Sequence, residues 1–316
     1  MRIFRILLCI ALLAALLLAP PFLMRMARRD FFADIYRIEA PKTVGTVTIY
    51  HIVSARTYAG SLTTWLQLQA ERYEKKHKGV RFVIEGMTEP YYLERVEYGR
   101  LPDAYSFFSG ALTEDALQPI GMTVDGLREG IQNTDYAVPY CFSGYAALTA
   151  SQEKVPMPEA NPLAARMAAR NGIETQGVVC DLRAIGDRLR DTSYGGSYAV
   201  SAVGNFTDQV CWLGIARDTS AEKAEALRGF FAFLCTESRQ RTLGQLGAFP
   251  ATNVEAEGLS PELKPIAEAY RTVQTVDPFA YAGARDAVAA DAAAADAGDA
   301  EADARLQARM VQILWK

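Results

Sequence analysis

Few side chains in this sequence are placed to carry catalysis. The chain has two histidines, His51 and His77, and neither stands beside a partner in the pattern of a catalytic dyad or a metal site. No GxSxG, HExxH or P-loop motif is present, and the five cysteines form no CxxC pair, which argues against zinc. The sequence therefore predicts a protein that is not an enzyme and needs no cofactor.

Two short segments place polar side chains at the ends of apolar strands. In "GRLPDAYSFFSG", 99–110, a short aromatic strand begins after Pro102-Asp103 and ends in Ser109-Gly110. In "NFTDQ", 205–209, polar and aromatic residues interrupt two apolar strands. Such an end is either a plain turn or a surface that faces a ligand, because open α/β sheets bind ligands at the carboxyl ends of their strands. We expect Asp103 to be structural, capping a turn, and Ser109 to face the ligand.

The strand ends at Ser109 and at 205–209 belong to a chain in which predicted strands and helices alternate. Residues 44–52 alternate and are rich in β-branched side chains, which predicts a strand. Residues 61–76 place their apolar side chains on one helical face after Ser61, a favourable N-cap. A strand over 80–85, a helix over 91–98 and the strand over 104–108 follow. This order is typical of a parallel α/β sheet.

The second half of the chain continues as α/β structure. Its predicted elements are an apolar strand region over 136–148, helices over 180–190 and 221–246, a strand over 198–203, and two helices in the alanine-rich C-terminal part with a break near Gly298. The long helix should end at Gly247, because glycine is the usual residue after a helix C-terminus.

The N-terminus has the pattern of an export segment. Residues 6–24 are free of charge over 19 positions and follow Arg2 and Arg5, which predicts a signal anchor or a cleaved signal peptide within residues 1–29. The rest of the chain is then expected on the extracytoplasmic face of the membrane.

The net charge of the chain after its N-terminal segment and the surroundings of its cysteines exclude one class of partner and predict the state of the thiols. Removing the five N-terminal arginines from the net charge of −4 leaves about −9 for the remainder, which argues against nucleic-acid binding. Four cysteines remain there, each among apolar residues, and they are expected to be buried free thiols, with a disulfide as the alternative: Cys141, Cys180, Cys211 and Cys235.

The order of several motifs resembles a known family. The segments "GTVTIYH", "WLQLQAERYEKKHKGVRFVI", "YGRLPDAYSFFSG" and "AEALRGFFAFLCTESRQRTLGQLGAFPATN" resemble, in that order, the extracellular solute-binding proteins of ABC importers, of the sugar-binding type. The C-terminal "GDAEADARLQARMVQIL" resembles the last helix of that family. The resemblance covers most of residues 44–314.

The resemblance implies a fold of two α/β lobes that close on a ligand by a hinge. Each lobe would hold a central, mostly parallel sheet flanked by helices, the periplasmic-binding-protein type II arrangement. Lobe one is expected over 44–138 plus 205–246, and a shortened lobe two over 139–204 plus 247–316. The implied function is capture of a small polar solute, a sugar or oligosaccharide, for ABC permease subunits in the membrane.

The resemblance also implies ligand contacts from the strand ends of both lobes. On this sequence the implied ligand-binding residues are His51, Ser54, Arg56, Ser106, Phe107, Ser109, Tyr140, Phe142, Asn205, Phe206, Asp208 and Gln209. Thr57 and Phe108 lie beside them.

Two further interpretations remain open. "IYHIVSAR" also resembles the start of iron- and anion-binding relatives, in which tyrosine pairs and histidine bind a hard metal. Here Tyr91/Tyr92, Tyr194/Tyr198 and His51 would supply the donors. The second is a membrane-anchored sensing or scaffolding protein without transport.

Overall fold

The computed structural model describes residues 44–151, 155–191, 193 and 197–315. The export segment predicted within residues 1–29 lies outside these residues. Within them, no helix combines the length and apolar character needed to cross a bilayer.

A six-stranded sheet forms the larger part of the fold. Its strands stand in the order β10-β4-β9-β3-β1-β2. They are β1 (Gly45–Ile52), β2 (Val80–Met87), β3 (Ala104–Phe108), β4 (Ala137–Phe142), β9 (Val210–Ile215) and β10 (Phe249–Pro250). β2 and β3 pair parallel with β1, whereas β9 pairs antiparallel with both β3 and β4. Four of the six strands therefore run in one direction, and their carboxyl ends meet at one edge.

A smaller sheet has three strands, β5 (Tyr145–Ala150), β6 (Val178–Asp181) and β7 (Tyr198–Ala202), in the order β6-β5-β7. Both pairings are antiparallel, which corrects the expectation of a mostly parallel sheet in the second lobe. The chain leaves β5 at Ala150 and re-enters the sheet at the same end, since Val178 of β6 pairs with Leu148 and Tyr198 of β7 pairs with Ala150, so both neighbours run against β5. A third sheet consists of two short parallel strands, β8 (Phe206–Thr207) and β11 (Gln274–Thr275).

Ten helices accompany the sheets in the described part of the chain. They are α1 (Leu62–Glu74), α2 (Glu89–Glu97), α3 (Pro162–Arg170), α4 (Leu182–Arg190), α5 (Ala221–Leu234), α6 (Glu237–Gln240), α7 (Lys264–Ala269), α8 (Pro278–Ala282), α9 (Arg285–Asp296) and α10 (Ala300–Ile313). Side-chain N-caps start many of them; Asn161, Asp181 and Asp299, for example, accept from backbone amides of α3, α4 and α10.

The long helix predicted over 221–246 is in fact broken. α5 ends at Leu234, Thr236 takes an extended conformation, and α6 and a 3₁₀ segment (Arg241–Leu246) follow. Gly247 ends the segment in the left-handed region with φ 65°, as predicted for a terminal glycine.

Three apolar clusters hold these layers together. One face of the larger sheet packs against α1 and α5, with Trp65 and Phe230 among its members. The opposite face packs against α4 and α7, and this cluster also takes in Ala146 and Leu148 of the smaller sheet. A third cluster lies between the smaller sheet and α3, α9 and α10. The second cluster therefore joins the two sheets in one apolar interior.

Asp103 is structural, though it does not cap a turn. Its carboxylate accepts a hydrogen bond from the amide of Thr48 at 2.8 Å and pairs with Lys223 Nζ at 2.8 Å. The start of β3 is thereby tied to both β1 and α5, which fixes where the other end of the strand emerges.

The four described cysteines are free thiols, as their apolar flanks predicted. Burial raises the pKa of Cys180 and of Cys235 to about 12. These thiols therefore stay protonated at neutral pH and pack as small apolar side chains.

The boundaries expected for the lobes remain a prediction. The division expected between residues 138 and 139 falls inside β4, a strand of the larger sheet, and β10 of the same sheet lies within the segment assigned to lobe two. We propose that the larger lobe is built on the six-stranded sheet and the smaller lobe on β5, β6 and β7.

Candidate functional site

A cleft opens at the carboxyl ends of β1, β2 and β3, where α/β sheets bind ligands. Its volume is about 500 Å³. From the side of the larger sheet it is lined by Val53, Ser54, Ala55, Thr88, Glu89, Pro90, Phe108 and Ser109. From the other side it is lined by Tyr145, Asn161, Asp181, Asp208, Gln209, Tyr281 and Arg285.

Asp208 accepts two short hydrogen bonds from tyrosine hydroxyls at the wall of the cleft. The Tyr145 hydroxyl donates to Asp208 Oδ1 at 2.5 Å, and the Tyr281 hydroxyl donates to Asp208 Oδ2 at 2.7 Å. Burial, reinforced by the nearby Asp208 carboxylate, raises the pKa of Tyr145 and of Tyr281 well above its ordinary value. Both phenols therefore stay protonated and hold the carboxylate in one orientation at the cleft wall.

An ion pair closes one edge of the cleft. Arg285, at the start of α9, donates to Glu89 Oε1 at 2.7 Å and to Glu89 Oε2 at 2.9 Å. The same guanidinium donates to the carbonyl of Gly110 at 3.3 Å. Gly110 has φ 84°, and a Cβ there would lie 2.9 Å from the ring of Tyr281, so only glycine fits between the strand exit and α8.

Gln209 carries an unused acceptor. Its Oε1 atom is buried and accepts no hydrogen bond from any residue that the structure describes. A buried amide oxygen without a donor costs free energy, and a donor from a bound molecule would recover it.

Three helices begin at the cleft. Asp181 and Asn161 cap the N-termini of α4 and α3, and Glu89 is the first residue of α2. The partial positive charge of each N-terminus offsets the nearby carboxylates. The cleft thus offers a nearly balanced set of donors and acceptors rather than one strong charge.

The structure brings four of the predicted residues to this cleft: Ser54, Ser109, Asp208 and Gln209. Phe108 joins them with its buried ring. Ser109 faces the cleft at the end of β3 and also accepts a hydrogen bond from the Trp212 indole at 3.0 Å.

Two predicted residues line a second, smaller cavity instead. His51 and Arg56 lie with Thr57, Ser61 and Arg183 around a space of about 240 Å³ beside the start of α1. We call this space the arginine cavity. It shares only Val53 and Ala55 with the cleft.

Four predicted residues lie in the core and line neither cavity. Ser106, Phe107, Tyr140 and Phe142 are each 0% exposed. The reason is that β3 and β4 are interior strands of the sheet, covered on both faces, so their side chains pack within the protein. Ser106 and Tyr140 bond to one another at 2.9 Å, and Phe142 packs on Phe249 and Tyr270.

The segment 205–209 divides between wall and interior. Phe206 is buried in the cluster beneath the smaller sheet, and the Asn205 carbonyl accepts from the amide of Gln274. Only the last two residues of the segment, Asp208 and Gln209, reach the cleft, because Phe206–Thr207 forms β8.

Several cleft residues escaped the sequence analysis: Thr88, Glu89, Tyr145, Asn161, Asp181, Tyr281 and Arg285. Two signals pointed to some of them. Asn161-Pro162 and Asp181 are helix-cap patterns, and Glu89 opens a helix directly after β2. No local pattern marks Tyr281 or Arg285, which follow the smaller sheet by about eighty residues.

The tyrosines proposed as metal donors have other partners. Tyr92 packs against Tyr105, Tyr91 lies against Arg95, and the Tyr198 hydroxyl donates to the carbonyl of Pro156. Tyr194 lies outside the described residues. Among those described, no group of three or more histidine, cysteine or acidic side chains is arranged to hold a metal ion.

Comparisons with known proteins give a structural likeness without a sequence match. No protein-family model matches the chain, and no curated protein matches it. Solved structures match over most of their length. The galacto-N-biose-/lacto-N-biose I-binding protein of the ABC transporter from Bifidobacterium longum superposes with a TM-score of 0.56 at 12% identity, over 85% of this chain and 97% of that one.

Two further structures agree. A chitin oligosaccharide binding protein gives a TM-score of 0.53 at 14% identity, over 78% of this chain and 92% of that one. The maltose/maltodextrin-binding domain MalE from Bdellovibrio bacteriovorus gives 0.52 at 11% identity, over 84% and 98%. The chain has the two-lobe fold of periplasmic binding proteins.

Proposed function

We propose that the protein is an extracytoplasmic solute-binding protein that captures a carbohydrate in the cleft by closure of its two lobes. One observation carries the proposal. The cleft is lined by polar side chains from both sides of a binding-protein fold, with Ser54 and Ser109 facing Asp208 and Gln209. The protein is then a carrier and not an enzyme.

The chemistry of the cleft suits a hydroxyl-rich ligand. Sugar hydroxyls donate and accept, and the cleft offers acceptors in Asp181, Asp208 and the free Gln209 Oε1. The rings of Phe108, Tyr145 and Tyr281 supply the apolar faces against which a sugar ring packs. The solved structures with the same fold include proteins named for lacto-N-biose, chitin oligosaccharides and maltodextrin.

Binding and closure share one set of residues in this proposal. Glu89 and Arg285 meet at the cleft edge from opposite sides, so a ligand that fills the cleft stabilises the arrangement in which they pair. Hinge closure around a ligand is the known motion of this fold class.

The remaining parts of the proposal are the location and the partner. We place the cleft on the extracytoplasmic side of the membrane, held there by the segment within residues 1–29 or released after its cleavage. The partner is an ABC permease that receives the solute. Affinity purification from membranes tests this partner, and recovery of a histidine kinase in place of a permease would favour a sensing role.

A thermal-shift screen of the full-length chain tests ligand binding. The panel contains glucose, N-acetylglucosamine oligomers and maltotriose, with polyamines and metal ions as other ligand classes. We expect at least one sugar to raise the unfolding temperature, because a ligand that binds only the folded state stabilises it. If no sugar shifts the transition, carbohydrate binding is wrong.

Two variants then locate the site. Ser109→Trp fills the cleft, and Gln209→Leu removes the free acceptor with little change in size. Each should abolish or weaken the shift. Ser238→Trp is the matched control, since it places the same ring at an exposed position of α6.

A further inference from the structure

We propose that the arginine cavity is a binding site for a small oxyanion, the group shared by sulfate, phosphate and carboxylates. The proposal does not depend on carbohydrate binding in the cleft. It is drawn from the charge of the cavity wall, from the start of α1 and from a buried histidine.

The wall carries two guanidinium groups and no carboxylate. Arg56 and Arg183 both line the cavity, and none of its other lining residues is acidic. Arg56 forms no ion pair or hydrogen bond within the described part of the chain, whereas Arg183 bonds Asp187 at 3.0 Å. An anion that enters the cavity can therefore bind the Arg56 guanidinium without breaking an ion pair within the described part of the chain. Arginine is also well suited to oxyanions, because its planar fork donates two parallel hydrogen bonds.

The first turn of α1 adds backbone donors. Gly60, Ser61, Leu62 and Thr63 line the cavity, and α1 runs for 13 residues from Leu62. The first amides of a helix have no partner within the helix and carry partial positive charge. No acidic side chain stands in this first turn to neutralise it.

His51 is the second, independent sign of a ligand. Its side chain is 1% exposed and yet forms part of the cavity wall. The ring has one hydrogen-bond partner among the described residues, Ser106, whose Oγ lies 2.8 Å from Nδ1. Ser106 Oγ occupies Nδ1 and the ring lines the cavity, so Nε2 is the ring nitrogen that an acceptor in the cavity would meet.

The cavity is preformed and of suitable size. The loop that carries Arg56 is held on both sides of it, since the Val53 amide donates to the Met87 carbonyl at 2.8 Å and Arg190 donates to the Tyr58 carbonyl at 2.9 Å. The volume of the arginine cavity is about 240 Å³. This is the space of roughly eight water molecules at ~30 Å³ each, which is enough for one tetrahedral anion and part of its hydration shell.

The neighbouring cleft would not serve the same ligand. The cleft holds three carboxylates beside one guanidinium, that of Arg285, which already pairs with Glu89, whereas the wall of the arginine cavity holds two guanidinium groups and no carboxylate, so an anion is favoured in the arginine cavity. The two spaces are adjacent, which allows two sources for the oxyanion: a free inorganic ion, or an acidic group carried by a solute that occupies the cleft.

Calorimetric titration of the full-length chain tests the proposal. Sodium sulfate and sodium phosphate form one arm, with sodium chloride at equal ionic strength as the reference. D-glucuronate against D-glucose forms the other. Arg56→Ala and Arg183→Ala should each weaken oxyanion binding by about tenfold or more, since each removes a charge-assisted hydrogen-bond donor. Arg100→Ala, an exposed arginine outside both cavities, should leave it unchanged.

A nuclear magnetic resonance measurement reports on the cavity itself. The chain has two histidines, so a His77→Gln background leaves one imidazole, that of His51. Its Nε2 resonance should move with sulfate or phosphate and not with chloride. An effect in the inorganic arm indicates a free ion, and an effect of glucuronate alone indicates an acidic solute. If neither arm shows binding that Arg56→Ala weakens, the proposal is overturned, whatever the cleft binds.

Discussion

Glu89 and Arg285 form a two-bond ion pair that joins the opposite sides of the cleft. The two residues are separated by 196 positions in the chain, yet the Arg285 guanidinium donates to both carboxylate oxygens of Glu89, at 2.7 and 2.9 Å. Both side chains are only partly exposed, at 31% and 26%. The hydrogen bond to Glu89 raises the pKa of Arg285.

Loss of this pair should open the cleft. We expect Arg285→Gln to shift the protein toward a more open arrangement, because it removes a bidentate contact worth about 1 kcal/mol at a half-exposed site. Small-angle X-ray scattering should then give a larger radius of gyration. Arg271→Gln is the control, since Arg271 pairs with Glu268 at the exposed surface away from the cleft. Equal radii of gyration for both variants and the parent chain would contradict the prediction that the Glu89–Arg285 pair holds the cleft closed.

Asp208 should matter more for folding than any other cleft residue. Asp208→Ala leaves the Tyr145 and Tyr281 hydroxyls without their acceptor in a buried setting, which should lower the free energy of unfolding by about 2 to 4 kcal/mol. Urea titration measures this change. Tyr281→Phe removes one hydrogen bond to Asp208 and leaves the one from Tyr145 in place, so it should cost about 1 kcal/mol.

The comparison for Asp208 is an exposed aspartate. Asp296→Ala, at the exposed C-terminal end of α9, should change stability by less than about 0.5 kcal/mol. If Asp208→Ala is as mild as Asp296→Ala, the two tyrosine hydrogen bonds do not hold the cleft wall.

The elements of the fold were largely predictable because their signals are local. Alternating β-branched residues defined β1, and the cap at Ser61 defined the start of α1. The errors arose where tertiary contacts decide. α5 breaks after Leu234, and the helix predicted over 180–190 begins only at Leu182, because Asp181 both ends the four-residue strand β6 and caps α4.

The cleft was only half predictable, for a topological reason. Residues directly after β1 and β3, such as Ser54 and Ser109, could be placed because strand direction fixes where a strand ends. Phe107 lies on β3 and Tyr140 on β4, and both strands are covered on both faces, so these two side chains are buried in the core. The opposite wall comes from distant segments, and nothing near Tyr281 or Arg285 in the sequence shows that they return to β3.

His51 should make the stability of the protein depend on pH. Burial lowers the pKa of His51 to about 4 from 6.5, partly opposed by its hydrogen bond with Ser106. As the pH falls, His51 therefore binds a proton near pH 6.5 in the unfolded chain but only near pH 4 in the folded chain. The stabilisation is complete above pH 6.5 and is lost as the pH falls through this window, by about 2 kcal/mol between about pH 7.5 and about pH 5.

Two histidine variants separate this effect from other titrations. His51→Gln should reduce the pH dependence of the urea midpoint in that range, whatever its own stability. His77→Gln should keep the full dependence, because His77 lies at the exposed end of α1. An unchanged slope in His51→Gln would assign the dependence to other groups.

Trp212 should report ligand binding in the cleft. Its indole nitrogen donates to Ser109 Oγ at 3.0 Å, and its ring stacks on Trp315 with centroids 6.2 Å apart. Ser109 lines the cleft, so a sugar bound there alters the hydrogen bonding around a fully buried indole. We expect the sugar with the largest thermal shift to change the tryptophan emission. Trp212→Phe should lose most of this change, and Trp65→Phe should retain it, because Trp65 packs between α1 and the far face of the larger sheet. The reverse pattern would place the ligand away from Ser109.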